Sequence, residues 1–492
     1  MAASQGVVLA IDAGTTGVRT RAVFRDGRKS IADYREFTQH YPQPGWVEHD
    51  AEEIWQAVRA TLQSVCAKLE EPVAAIGITN QRETIVAIDR ISGAPLHRAI
   101  VWQDRRTAQR CDSLADHLHA VRAVTGLVLD PYFSGSKVEW LLRNTAVSRN
   151  KNLAFATIDA FIIHRLTGGG AFATDVSNAS RTMLFDIRTL RWSEDMCRLF
   201  DVDPTTLPDV VSSSGRIGLT VRDGPIPAGV PISGVAGDQQ AALFGQACFA
   251  TGSAKNTYGT GSFVLMNVGT ECPAPTSGML TTVAWRIADQ PAVYALEGAI
   301  FVTGAAVQWL RDGLRIIEKS SDIGPLAESV ADSGGVVVVP AFTGLGSPWW
   351  DPYARGSIFG ITRGTSRAHI ARAVVESMVH QTRDVVDAMT RASGVAISDL
   401  RVDGGAAVMD LMLQMQSDQL GVDVLRPTEL ETTAMGAAYL AGLAEGVWGS
   451  TSDISSRWAL ERRFSPGPGA ATRDAAHAVW LRAVERARAW AV

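Results

Sequence analysis

Lysine is scarce in this chain: only six of the 46 basic residues are Lys, against 51 acidic residues and a formal net charge of −5. No basic run offers a stripe for a phosphate backbone, which excludes nucleic acid as an expected partner. Cysteine is sparse as well. The five (Cys66, Cys111, Cys197, Cys248 and Cys272) are odd in number and form no Cys-x-x-Cys, so they read as reduced thiols of a cytoplasmic protein. The nine histidines show no ligand spacing, and none falls between His164 and His369, which argues against a metal site built on His. No apolar run is long enough for a membrane span, and Val7–Ile11 is too short for the core of a signal peptide. Also absent are Gly-x-x-x-x-Gly-Lys-Ser/Thr and Gly-x-Gly-x-x-Gly, which removes the P-loop and dinucleotide-binding classes. Two local matches carry no function. Ser134-Gly135-Ser136-Lys137 has no companion motif of an acylating enzyme, and the sequon Asn178-Ala179-Ser180 means nothing without secretion.

A chain of 492 residues is too long for one core and fits two domains of roughly 200–250 residues. A boundary is expected near 248–254, giving domains 1–250 and 251–492. Apolar segments recur and end in Gly, Asp or Asn: Val7–Ile11, Ala74–Ile78, Thr84–Ile88, Ile232–Val235, Ser262–Asn267, Val336–Val339 and Leu400–Val402. Helical patterns lie between them over Ala51–Leu69, Ala368–Met389 and Asp410–Gln419, with a final amphipathic helix at about Arg473–Ala491. Alternation of this kind predicts an α/β fold with its ligand crevice at the carboxyl ends of the strands.

Two turns stand out at such ends. Asp12-Ala13-Gly14-Thr15-Thr16 follows the first strand, and Tyr258-Gly259-Thr260-Gly261-Ser262 recurs about half a chain later. Backbone N–H groups and hydroxyls suit phosphate oxygens, and a carboxylate suits Mg²⁺ with its waters. A third turn, Asp403-Gly404-Gly405-Ala406, also follows a strand and precedes a helix. A polar group rich in aromatics accompanies them: Asn80-Gln81-Arg82-Glu83-Thr84, Trp102-Gln103-Asp104-Arg105-Arg106 and Asp130-Pro131-Tyr132-Phe133-Ser134. Charged groups of this kind bind hydroxyls while aromatic faces cover carbon, which suits a small polyol. Asp238, at the end of a strand in Gly237-Asp238-Gln239-Gln240, is the candidate general base.

Taken together, these residues resemble the FGGY carbohydrate kinases, from Asp12 to about Gly446. Tyr132–Trp140 is similar to the first family pattern, and Gly356-Ser357-Ile358-Phe359-Gly360 running on to Glu376 to the second. The strings Pro44–Asp50, Thr79–Thr84 and Asp238–Gly245 resemble the members that phosphorylate glycerol. The resemblance implies two actin-like (ribonuclease H-like) domains with ATP and glycerol in the cleft between them. It also implies conversion of glycerol to sn-glycerol 3-phosphate by Mg²⁺-ATP, and association as a homodimer or homotetramer. Arg82, Glu83, Tyr132, Asp238 and Gln239 would bind the glycerol hydroxyls, with Trp102 and Phe263 over its carbon side. Asp238 would act as base, and Asp12 with Asp238 would hold the metal through water. Gly14, Thr15, Thr16, Arg19, Thr260 and Gly261 would face the phosphates, while Gly304, Gln308, Gly405 and Met409 would border the nucleotide.

The chain departs from the family pattern in three places. Ala13 stands where relatives have Gln. Met409, followed by Asp410, stands where relatives place an Asn near adenine, so that contact is apolar or uses Asp410. The stretch Val221–Pro231 has little basic character and no His, unlike the loop of relatives under sugar-bisphosphate or phosphohistidine control. Two other functions compete. A kinase for another small polyol or triose would replace Arg82-Glu83, and a non-catalytic sensor would lose Asp12 or Asp238. All four residues are present.

Overall fold

A computed structural model describes residues 6–222, 224–276 and 278–491. Asp223, in the Val221–Pro231 stretch, lies outside them. The first strand, Val7–Ala13, is buried along nearly its whole length, as expected for a strand covered on both faces. It pairs antiparallel with Gly17–Val23, which pairs antiparallel with Ile31–Glu36. On its other side lie Val73–Asn80 and Pro231–Gly237, both parallel to it, and then the antiparallel edge Ser214–Leu219. Helix Ala51–Cys66 covers Gly17–Val23 and Ile31–Glu36, burying Ile54, Val58, Leu62 and Val65 along one stripe. The Asp50 side chain caps it by accepting from the Glu52 N–H at 2.8 Å.

The second half repeats that plan. Ser253–Tyr258 pairs antiparallel with Ser262–Gly269, which pairs antiparallel with Val293–Ile300. On the other side come the parallel strands Asp399–Asp403 and Asp423–Pro427, then the antiparallel edge Leu460–Phe464. One extra strand, Leu280–Trp285, extends the far edge. A smaller sheet containing Glu48–His49 and Ile85–Asp89 lies within the first half.

Two equivalent helices join the halves. Asp238–Gly245 follows the last parallel strand of the first sheet, and Thr432–Ala444 follows that of the second. They pack on each other, and Thr432–Ala444 also lies against Val7–Ala13, Val73–Asn80 and Pro231–Gly237 of the opposite half. The crossing is close enough to require glycine. A methyl group at Gly436 would overlap the Ala241 carbonyl, and one at Gly245 the Thr432 carbonyl. Apolar residues of both halves, among them Val8, Ala10, Leu243, Phe244, Leu265, Trp285 and Leu440, form one core here. The helix Thr432–Ala444 has no sequence signature of its own, because it is apolar on every side (mean pattern Ala-Met-Gly-Ala-Ala-Tyr-Leu) and buried through most of its length. The last helix runs Ala470–Ala487, starting and ending earlier than the sequence pattern suggests.

Candidate active site

The Asp12–Thr16 turn is fixed from several sides. Gly14 N–H donates to the Gly17 carbonyl at 3.0 Å, closing the hairpin, and Gln81 N–H donates to the Ala13 carbonyl at 2.8 Å. Side chains complete the frame. Gln81 Nε2 donates to the Gly14 carbonyl at 3.0 Å and Gln39 Nε2 to the Thr15 carbonyl at 2.9 Å. His49 lies between the two glutamines, 2.7 Å from Gln39 Oε1 and 3.3 Å from Gln81 Nε2. Burial pushes the His49 imidazole down to about 4, so it serves as a neutral strut. Thr16 Oγ1 lies 3.3 Å from the Tyr34 hydroxyl.

Asp12 has the most perturbed carboxyl of the turn. Burial, then the neighbouring Asp238 charge, push it up to about 7, and Arg19 offsets this only in part. Arg19 pairs with Glu431 and lies over the Tyr34 ring at 5.5 Å. Arg19 thus lies beside the turn, since the Tyr34 hydroxyl meets Thr16 and the Arg19 charge acts on Asp12, while its guanidinium reaches Glu431 of the second half.

The polyol group is assembled by one unusual residue. Glu83 has φ +62°, a left-handed conformation rare for a side chain of its size. Two donors from helix Ser134–Asn144 hold its carbonyl, Ser134 Oγ at 3.0 Å and Lys137 Nζ at 3.3 Å. Lys137 also donates to the Tyr132 carbonyl at 2.5 Å, and burial pushes its ammonium down to about 8. The Ser134-x-x-Lys137 match is thus a brace for Glu83 rather than a nucleophile and its base. Beside it, Arg82 is 2 % exposed and reaches Asp238 Oδ1 with Nε at 3.1 Å, Gln240 Oε1 with Nη1 at 3.2 Å, and the Tyr132 hydroxyl with Nη2 at 3.4 Å. Asp238 opens its helix with the side chain partly exposed. Gln239 is held by Lys255 Nζ, which also donates to Thr257 Oγ1 at 2.9 Å. Trp102 and Tyr132 meet edge to face at 5.6 Å, and Phe263 approaches from the second half with its ring 6.0 Å from the Arg82 guanidinium. Trp102 Nε1 donates to Thr15 Oγ1 at 2.9 Å, which joins the polyol group to the Asp12 turn.

The second half contributes mostly backbone. Gly259 N–H closes its turn on the Gly261 carbonyl at 2.8 Å. The amides of Thr303 and Ala305 donate to the Thr260 carbonyl and that of Gly304 to the Gly259 carbonyl, all within 2.9–3.0 Å. A side chain at Gly261 would overlap the Ile300 carbonyl. One at Gly404, whose φ is +88°, would overlap the Tyr258 backbone. Gly405 faces open space, and Gln308 is exposed at the end of helix Gly304–Gln308. Met409 is half buried next to Gly324 and begins helix Asp410–Leu420. The Asp410 carboxylate is engaged by Arg426 Nη1 at 2.8 Å and by Arg462.

This arrangement fits a nucleotide and a divalent cation. Burial and the Asp238 charge both oppose ionisation of Asp12, which Arg19 offsets only in part, and a bound divalent cation would relieve this. Among the described residues no cluster of three or more His, Cys, Asp or Glu is arranged to hold a metal, so water and phosphate would complete its shell. The glycine turns leave room for close backbone approach.

Three side chains absent from the sequence reading join the cluster: Arg181, Lys255 and Glu297. Arg181 Nε donates to Glu83 Oε1 at 2.7 Å, and its Nη2 donates to Glu297 Oε1 at 2.8 Å. Glu297 also takes Arg82 Nη1 at 2.5 Å and Nη2 at 3.1 Å. Glu297 does have a signal, as the single acid in the otherwise apolar strand Val293–Ile300.

Residues 7–245 match the model of the FGGY family of carbohydrate kinases, N-terminal domain, and 254–445 that of its C-terminal domain. A glycerol kinase of Symbiobacterium thermophilum is 54% identical, covering 99% of both chains; one of Deinococcus radiodurans is 51% identical, covering 98% of both. The crystal structure of Plasmodium falciparum glycerol kinase with ADP superposes with a TM-score of 0.93 at 34% identity, covering 98% of each chain. A ligand-bound xylulose kinase of Lactobacillus acidophilus shares the fold alone, with a TM-score of 0.89 at 21% identity over 98% of each chain. Among the described residues no helix is long and apolar enough to cross a membrane. With two repeated sheets, a charged polyol group at one set of strand ends and glycine turns at the other, the chain belongs to the FGGY family of carbohydrate kinases.

Proposed function

We propose that this chain transfers the γ-phosphoryl group of Mg²⁺-ATP to a terminal hydroxyl of glycerol, giving sn-glycerol 3-phosphate and ADP. One observation carries the assignment: Arg82, Glu83 and Asp238 converge beneath Trp102 and Tyr132, and Trp102 is bonded to Thr15 of the phosphate turn. Arg82, Glu83, Tyr132 and Gln239 bind glycerol hydroxyls, while Trp102 and Phe263 cover its carbon atoms. Asp238 accepts the proton of the attacking hydroxyl, whose oxygen bonds to the γ-phosphorus as the bridge to the β-phosphate breaks. Asp12 and Asp238 would hold Mg²⁺, which would supply positive charge to offset that of the transferred phosphoryl group.

Gly14, Thr15, Thr16, Thr260 and Gly261 face the phosphates, and Arg19 joins them once Glu431 releases it. Gly304, Gln308, Gly405 and Met409 border the nucleoside, with Met409 giving an apolar contact. The units 1–250 and 251–492 close on the substrates about the paired helices, which aligns the reacting atoms and expels water.

The test is ADP release from Mg²⁺-ATP with glycerol, erythritol, dihydroxyacetone, glyceraldehyde and xylulose in turn. Preference for glycerol with glycerol 3-phosphate as product is expected. Turnover of another polyol without glycerol would reject Arg82-Glu83 as the selecting pair. Silence on all five, with tight glycerol binding, would favour a sensor.

A further inference from the structure

The charges beneath the polyol group are arranged around a side chain that does not belong to the half carrying them. Arg82, Glu83, Arg181 and Asp238 lie in the first half, whereas Glu297 lies on Val293–Ile300 of the second sheet and is fully buried. We propose that Glu297, acting directly on Arg82 and through Arg181 on Glu83, is the positioning residue for glycerol, and that it makes the glycerol site depend on contact between the halves. This rests on the glycerol-phosphorylating function proposed above.

A guanidinium is a rigid fork of five donors, so fixing its two terminal nitrogens fixes the direction of the third. Glu297 takes both terminal nitrogens of Arg82, which leaves Arg82 Nε aimed at Asp238 Oδ1 at 3.1 Å and Glu83 Oε1 at 3.7 Å. Glu297 Oε1 also takes Arg181 Nη2, so Arg181 Nε is aimed at Glu83 Oε1. One carboxylate thereby orients both guanidiniums that meet Glu83.

The charge balance gives the same assignment. Two buried guanidiniums without Glu297 would fall back on Glu83 and Asp238, occupying the oxygens that glycerol hydroxyls and the transferred proton require. An amide cannot replace the carboxylate, because its NH₂ would face guanidinium donors.

Initial rates of wild type, Glu297→Asp and Glu297→Gln, with glycerol and ATP varied separately, test this. Glu297→Asp keeps the charge and the fold but retracts the carboxylate, so it carries the test if Glu297→Gln fails to fold. A misplacement on the order of 1 Å costs up to about 100-fold, so Glu297→Asp is expected to raise the glycerol KM by about tenfold or more. Its ATP KM should stay within about twofold of wild type, because the residue contacts one substrate's site only. Equal shifts in both constants for Glu297→Asp would reduce Glu297 to a structural ion pair and overturn the proposal, as would a wild-type glycerol KM. Wild-type protein that fails to phosphorylate glycerol would instead overturn the underlying function, and this role with it.

Discussion

The two halves share a sheet plan yet end their strands in different chemistry. At the carboxyl ends of the first sheet stand Asp12, Arg82, Glu83 and Asp238, side chains that direct charge. At those of the second stand Gly259, Gly261, Gly404 and Gly405, with backbone amides and very little side chain. Small polyols differ in the number and placement of their hydroxyls, so discriminating them takes directed side chains held by second contacts, such as Ser134 and Lys137 behind Glu83. A nucleotide is large and its phosphates are alike, so open turns suffice. One sheet plan thus carries directed side chains at one set of strand ends and open glycine turns at the other.

The largest effect that sharpens this contrast is at Asp238. Asp238→Asn should lower kcat by about 10²–10⁴-fold, the usual contribution of a general base, while glycerol binding measured by calorimetry stays near wild type. Turnover close to wild type would remove Asp238 from its role.

Glycine serves opposite purposes where the two helices cross and at the strand ends, which the next pair of variants separates. Gly436→Ala forces a methyl into the Ala241 carbonyl and should lower unfolding stability by about 1–3 kcal/mol. Gly405→Ala, facing open space, should leave the thermal midpoint unchanged. Equal midpoints for the two would break the distinction.

A third effect follows from Asp12, whose carboxyl is held at about 7. Since its folded pKa lies above the ordinary carboxylate range, its contribution to the stability of metal-free protein is fully present below about pH 4 and is lost as pH rises through about 7. Mg²⁺ needs the ionised form, so the Mg²⁺ concentration for half-maximal rate should rise by up to about tenfold per pH unit below pH 7. Asp12→Asn should flatten that dependence. A requirement constant from pH 8 to 5.5 would contradict it.

The smallest effect lies at Arg19 and Glu431. Their side chains are 33% and 50% exposed, so the pair is worth at most about 1 kcal/mol. Glu431→Gln, by freeing Arg19, should lower the ATP KM by no more than about fivefold, the equivalent of that energy. A raised ATP KM would show that Glu431 itself serves the nucleotide.

Much of this was legible in the sequence because buried strands leave long apolar runs and their polar ends stand out. The Asp12 turn, the Asp403-Gly404-Gly405 turn and the stripe of Ala51–Cys66 are of that kind. The contacts that aim the site were not legible. Glu297 meets Arg82 across the two halves, and no local pattern announces a pairing of such sequence separation. Helix Thr432–Ala444 was hidden because it is buried on all sides and lacks an amphipathic period. Also not legible was the pairing of Asp410 with Arg426 and Arg462, which brings together residues far apart in the chain.

Initial rates with both substrates varied, for wild type, Arg82→Ala and Gly405→Val, test the division of labour most directly. Loss of charged contacts at Arg82 should raise the glycerol KM by about tenfold or more with the ATP KM little changed, and bulk at Gly405 should do the reverse. If both variants move both constants together, the Arg82 and Gly405 ends of the cleft do not serve separate substrates, and the account of the cleft is wrong.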